Sequence, residues 1–163
     1  DYDISAVEII YNMFRLRPAE NFFKMAQAKN VGIIARVPLA SGLLSGKYTL
    51  DTTFGKDDHR SFNRHGEAFD QGETFSGVDY ATGVQAANEL HERLGLATPL
   101  APLALRYILM ADAVSTVIPG ASKPEQIARN VAAADLPAFT PDQMAIVRDV
   151  YEKYLKNPVQ YKW

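Results

Sequence analysis

Residues 115–130, STVIPGASKPEQIARN, hold side chains of the types that grip an anion. Ser122 and Lys123 stand at the start of a helix-forming run. Gln126, Arg129 and Asn130 follow at i, i+3 and i+4, which places them on one helix face. A helix N-terminus offers free N–H groups and partial positive charge, and with a lysine at its mouth it suits phosphate. The same residues also describe an ordinary strand–helix joint with a good cap, and residue type alone does not separate the two. A second stretch, residues 31–48, reads VGIIARVPLASGLLSGKY. Gly42 and Gly46 permit tight turns whose exposed N–H groups form an anion-binding nest, and Lys47 adds a cation. Taken alone, it reads equally as a glycine-containing exit from a strand.

These residues need elements to position them. Residues 114–118 are β-branched and apolar, as expected of a strand buried on both faces of a parallel sheet. Pro119-Gly120 breaks the strand. Ser122 then reads as N-cap, Pro124 as a first-turn residue and Glu125 as the N3 member of a capping box. Upstream, residues 6–11 and 31–37 read as strands, interrupted by single charges at Glu8 and Arg36. Residues 18–28 read as a helix turning Phe22, Phe23 and Met25 to a core. Residues 49–79 have neither helical nor strand periodicity and carry His59, Arg60, Arg64 and His65; so long a loop is functional or disordered. Residues 80–94 read as a helix ending at Gly95. A further helix over 98–110 has Thr98 as N-cap and Pro99 at N1. Helices over 123–134 and 141–154 follow, the latter capped by Thr140, before a tail to Trp163.

Alternating strands and helices predict a parallel sheet with crossovers. Three strands cannot cover their own edges and faces. Either a doubly wound sheet or part of a (β/α)₈ barrel satisfies the pattern.

Composition narrows the function classes. The chain has 163 residues, 47% hydrophobic and 22% charged, with net charge −2. That is an ordinary globular balance with no electrostatic footprint for nucleic acid or anionic membrane. With no cysteine, thiolate metal sites and a cysteine nucleophile are excluded, and a reducing, cytoplasmic setting fits. No apolar run reaches spanning length. His59 and His65 lack carboxylates at ligand spacing, so no metal site is expected. Asp1 is not an initiator residue, which suggests a fragment or a processed product.

The run IPGASKPEQIARN closely resembles the last strand–helix unit of the aldo-keto reductases. The resemblance implies contacts to the adenosine 2′-phosphate and adenine of NADP from Gly120, Ser122, Gln126 and Asn130, with Lys123 and Arg129 nearby. PLASGLLSGK resembles the family loop that wraps the pyrophosphate, and puts Pro38, Leu39, Ala40, Ser41 and Lys47 on cofactor-contact positions. VEIIYNMFRLRP is similar to the family's sixth strand and its exit, with Tyr11-Asn12 matching a common pair.

Two residues depart from the family pattern. Glu8 stands where a glutamine usually binds the nicotinamide carboxamide, and Arg36 where an aromatic usually stacks on the ring. A planar guanidinium can stack in its place. Strands six and seven would bring both to one barrel mouth, so Arg36 is expected at the ring and partly held by Glu8. Equally, the two could form a plain ion pair. The family's Asp-Tyr-Lys-His tetrad comes from the first four strands, upstream of every matched motif, so no catalytic residue is assigned here.

The resemblance therefore implies an α/β chain forming the C-terminal part of a (β/α)₈ TIM barrel, roughly strands six to eight with extra helices. Residues 1–163 would be one partial domain, with the N-terminal half-barrel as its partner. The parent would be an NADPH-dependent oxidoreductase reducing small aldehydes or ketones to alcohols. This chain would supply the cofactor grip and, alone, no turnover. The alternative is a non-catalytic NADP-binding regulatory module like the potassium-channel β-subunits.

Overall fold

The computed structural model describes residues 3–161; Asp1 and the end of the tail at Trp163 lie outside them. Strands β1 (Ala6–Ile10), β2 (Gly32–Arg36) and β3 (Val114–Val117) form one sheet in chain order. Both pairings are parallel, Ala6 facing Gly32 and Ile10 facing Arg36, with a register shift at Ile33/Ile34 on the β3 side. All three strands therefore exit at the same end, where ligands of parallel sheets collect.

Helices α1 (Arg17–Asn21) and α2 (Phe23–Ala28) lead from β1 to β2. The single helix expected there is interrupted at Phe22. Phe23 is buried and Phe22 packs on the core, but Met25 is exposed, contrary to expectation. After β2 the chain makes a 3₁₀ turn over Ala40–Ser45. The long segment that follows has local structure that its lack of periodicity concealed. It contains the short helix α3 (His59–Phe62) and 3₁₀ turns over Gln71–Glu73 and Phe75–Gly77. An aromatic cluster organises it. Phe54 meets Tyr48 at 5.2 Å and Tyr80 at 5.8 Å, and Phe75 meets Tyr80 at 5.1 Å between ring centroids. Such edge and tilted pairs each add about 0.5–1.5 kcal/mol to the burial of the rings.

Helix α4 (Tyr80–Leu94) ends as expected at Gly95, whose φ of 61° is the left-handed conformation that closes a helix. Asp79 caps its start through Thr82 N. Helix α5 (Leu100–Leu109) has Pro99 at its N-cap, where Thr98 was expected as N-cap and Pro99 at N1. Helix α6 (Pro124–Ala132) follows β3. Helix α7 (Pro141–Val150) has the expected Thr140 cap, completed by Gln143, and continues through a π turn into α8 (Lys156–Val159).

The core lies between the sheet and the helices. Ile33 and Ala35 of β2 are fully buried against it, with Phe14, Leu43, Leu90, Leu105 and Ile108. Burying each large side chain contributes about 1.5–3 kcal/mol. The other sheet face is open: Glu8, Thr116 and Ile118 are exposed. Strand β3 is thus an edge strand and not one buried on both faces. Its apolar character suits a larger sheet than three strands provide.

Candidate functional site

The exits of β2 and β3 face each other across a cleft of 620 Å³. Pro38, Leu39, Ser41 and Lys47 line it from the β2 side, and Gly120, Ser122 and Gln126 from the β3 side. A smaller recess of 190 Å³ adjoins it, sharing Leu39, Lys47, Gly120 and Gln126 and adding Arg129 and Asn130. The two sequence motifs, more than seventy residues apart, therefore converge on one surface. Gly120 leaves it open: a Cβ there would meet no atom within 4 Å.

The start of α6 is built differently from expectation. Lys123 holds the N-cap position, Pro124 is N1 and Gln126 is N3. Gln126 Oε1 accepts from Ser122 N at 2.6 Å, Lys123 N at 3.1 Å and Ser122 Oγ at 3.1 Å. The cap is thus shifted by one residue, and Gln126 replaces Glu125 as its N3 member. A β-region φ/ψ at Lys123, favoured before a proline, accounts for the shift. Lys123 is exposed at the mouth and does not line the cleft. Arg129, one turn on, does.

The β2 exit is a strained loop. Val37, Ala40, Ser41, Gly42 and Gly46 all have positive φ, between 48° and 102°. A left-handed β-branched residue such as Val37 persists only where its surroundings fix it. Asn12, wholly buried, does so: its Nδ2 donates to Val37 O at 2.8 Å and to Ser76 Oγ at 2.9 Å. Ala40 is fully buried, so toward a ligand it can offer only backbone. Gly42 lies under the Tyr48 ring, where an added Cβ would come within 2.7 Å of Tyr48 Cζ.

The long segment supplies residues that the sequence reading did not place. Ser41 Oγ donates to Glu73 O at 3.0 Å and accepts from Phe75 N at 3.0 Å. Glu73 lines the cleft and pairs with both terminal nitrogens of Arg36, Nη2 to Oε2 at 2.8 Å. Arg36 Nε lies 3.6 Å from Glu8 Oε2. The expected Glu8–Arg36 contact is therefore present, but Glu73 is the closer partner. The cluster is not buried, since Arg36 keeps 33% and Glu8 57% of side-chain exposure. Neither Glu8 nor Arg36 lines the cleft itself. A glutamate in an aperiodic loop carried no sequence signal of this contact.

Arg60 and His59 also line the cleft. Arg60 is committed elsewhere: Nε donates to Asp58 Oδ1 at 2.8 Å, a terminal nitrogen donates to Tyr48 Oη, and the guanidinium lies 4.7 Å from the Phe54 centroid. The Arg60 hydrogen bonds hold the Asp58 carboxyl down at about 2. Burial is the main cause of the raised Tyr48 phenol pKa, opposed by Arg60. Among the described residues no cluster of three histidines and acids could hold a metal, and no helix is long and apolar enough to cross a membrane.

The sequence model of the aldo/keto reductase family matches residues 1–152. The chain belongs to this family. It is 28% identical over 159 residues to a probable voltage-gated potassium channel subunit beta of Arabidopsis thaliana, covering 93% of the chain and 45% of that protein. It is 32% identical over 119 residues to L-glyceraldehyde 3-phosphate reductase of Escherichia coli, covering 73% and 33%. A solved aldo-keto reductase from Bacillus halodurans, in its holo form, superposes with TM-score 0.63 at 27% identity, covering 91% of the chain and 43% of that structure. A glycerol dehydrogenase from Gluconobacter oxydans superposes with TM-score 0.71 at 24% identity, over 97% and 45%, and so shares the fold. The chain thus spans about half the length of these relatives or less.

Proposed function

We propose that this chain is the cofactor-gripping, C-terminal half of a (β/α)₈ barrel, strands six to eight. Its parent would be an NADPH-dependent reductase of small aldehydes or ketones. One observation carries the reading: the glycine loop after β2 and the turn before α6 meet on one cleft, with Lys47, Arg129 and Gly120 at the junction. Cations beside an unfilled glycine, at the start of a helix, suit a dinucleotide phosphate.

In this reading Gln126, Ser122 and Asn130 hold the adenine end, with Lys123 and Arg129 at the 2′-phosphate. The backbone of residues 38–41 and Lys47 hold the pyrophosphate. Glu8 and Arg36 lie toward the nicotinamide. NADPH, when bound, supplies hydride to the carbonyl carbon. The proton-donating residues belong to the N-terminal half-barrel, so the isolated chain gives no turnover. Open edges on β1 and β3 are completed by that same half.

Likeness to potassium channel β-subunits supports a second reading, in which the parent binds NADP(H) and regulates a partner. Titration of the full-length protein with NADPH and NADH, followed by an aldehyde-reduction assay, separates the possibilities. Tight NADPH binding with turnover supports the reductase, and binding without turnover supports the regulator. Failure to bind NADPH contradicts both.

A further inference from the structure

We infer that Glu73 is a positioning residue for the nicotinamide end of the cleft, acting through Arg36. The inference rests on the cofactor reading above. The arrangement of the guanidinium carries it. Both terminal nitrogens meet the Glu73 carboxylate, and Nε faces Glu8 at 3.6 Å. A guanidinium donates only in its own plane. Carboxylates along its edges therefore leave its flat faces free of hydrogen bonds, and a flat face is what stacks on a ring. Two-point pairing fixes the plane as well as the charge.

Glu73 is itself held where it can do this. Its carbonyl accepts from Ser41 Oγ, and the preceding turn is closed by Asp70 Oδ1 accepting from Gly72 N at 2.8 Å. That turn packs on β1: a Cβ at Gly72 would lie 3.3 Å from Ile10 Cδ1. Ile10 pairs in register with Arg36. The carboxylate thus arrives from 37 residues downstream on a braced turn. Among the described residues lining the larger cleft, Glu73 is the one acid.

A purely structural role would have Glu73 pin the long segment and nothing more. Two ligands separate the roles. NADPH reaches the whole cleft, whereas 2′,5′-ADP has the adenine and the 2′-phosphate but no nicotinamide. In the full-length protein, Glu73→Gln is expected to raise the dissociation constant for NADPH roughly tenfold and to leave that for 2′,5′-ADP unchanged. Equal weakening of both ligands, or no weakening of NADPH, overturns the inference. The paired exchange Arg36→Glu with Glu73→Arg restores the ion pair but places a carboxylate at the ring. It is expected to recover the melting temperature lost in either single variant while NADPH stays weak. Recovery of NADPH affinity would show that the pair only pins the loop. Wild-type NADPH binding that Glu73→Gln leaves intact overturns the inference alone, whereas a wild-type protein that does not bind NADPH overturns the cofactor reading and the inference with it.

Discussion

Asn12 reaches Ser76, 64 residues downstream, with a buried hydrogen bond of 2.9 Å. The same amide nitrogen donates to Val37 O, and its oxygen accepts from Phe14 N at 2.8 Å. Arg15 adds a bond to Ser76 O at 2.9 Å. The β1 exit, the β2 exit and the long segment are thus tied through one side chain. Asn12→Ala strands these partners, at about 1–3 kcal/mol for each buried group left unsatisfied. Chemical denaturation should show a clear fall in midpoint; a midpoint within error of wild type would mean water replaces the amide.

Gly42 should tolerate no side chain. Its φ is 102°, and an added Cβ would run into the Tyr48 ring. Gly42→Ala is expected to cost more than about 1 kcal/mol and to displace Tyr48 from the cleft wall. Thermal melts read the first effect. Acrylamide-free tyrosine titration by ultraviolet difference spectra reads the second, because a more exposed Tyr48 loses the burial that raises its pKa.

Asp58 makes the long segment acid-sensitive. Its folded pKa of about 2 lies below the unfolded value near 3.9. Its contribution is therefore fully present above about pH 4 and is lost as pH falls toward 2. Asp58→Asn should be less stable than wild type at pH 6, and the gap should close as pH falls. A gap that persists at pH 2 would assign the effect to the α3 cap alone, where Asp58 accepts from Arg60 N.

Arg129 and Lys123 should differ in their effect on the 2′-phosphate. Both side chains are exposed, but Arg129 lines the recess and its guanidinium can pair with phosphate at two points, whereas Lys123 acts as a point charge. Arg129→Ala is expected to weaken NADPH about tenfold or more, Lys123→Ala less, and neither to change NADH. Equal losses for both cofactors would move these cations away from the 2′-phosphate.

Local chemistry made much of the chain legible. The Gly95 stop, the Thr140–Gln143 cap and the convergence of Lys47 with Gln126 and Asn130 all follow from neighbours in sequence or from a family motif. What escaped depends on distant partners. The Glu73–Arg36 and Asn12–Ser76 pairs join segments that no periodicity connects. Met25 obeys the helical spacing only if residues 18–28 form one helix, and the break at Phe22 rotates it outward. Residues 114–118 look doubly buried because their composition suits a fuller sheet. The cap of α6 falls on Lys123 and not Ser122 because the residue before Pro124 takes the extended backbone, which makes Gln126 the N3 residue.

Gly120 offers the most direct test of the cleft as a cofactor site. A Cβ there meets nothing within 4 Å, so Gly120→Leu should fold as well as wild type while its longer side chain reaches into the space lined by Lys47 and Gln126. Calorimetric titration of the full-length variant with NADPH, beside its thermal melt, is the measurement. An unchanged melting temperature with NADPH binding abolished is the expected result. An unchanged melting temperature with wild-type NADPH affinity would contradict the assignment of this cleft to the cofactor.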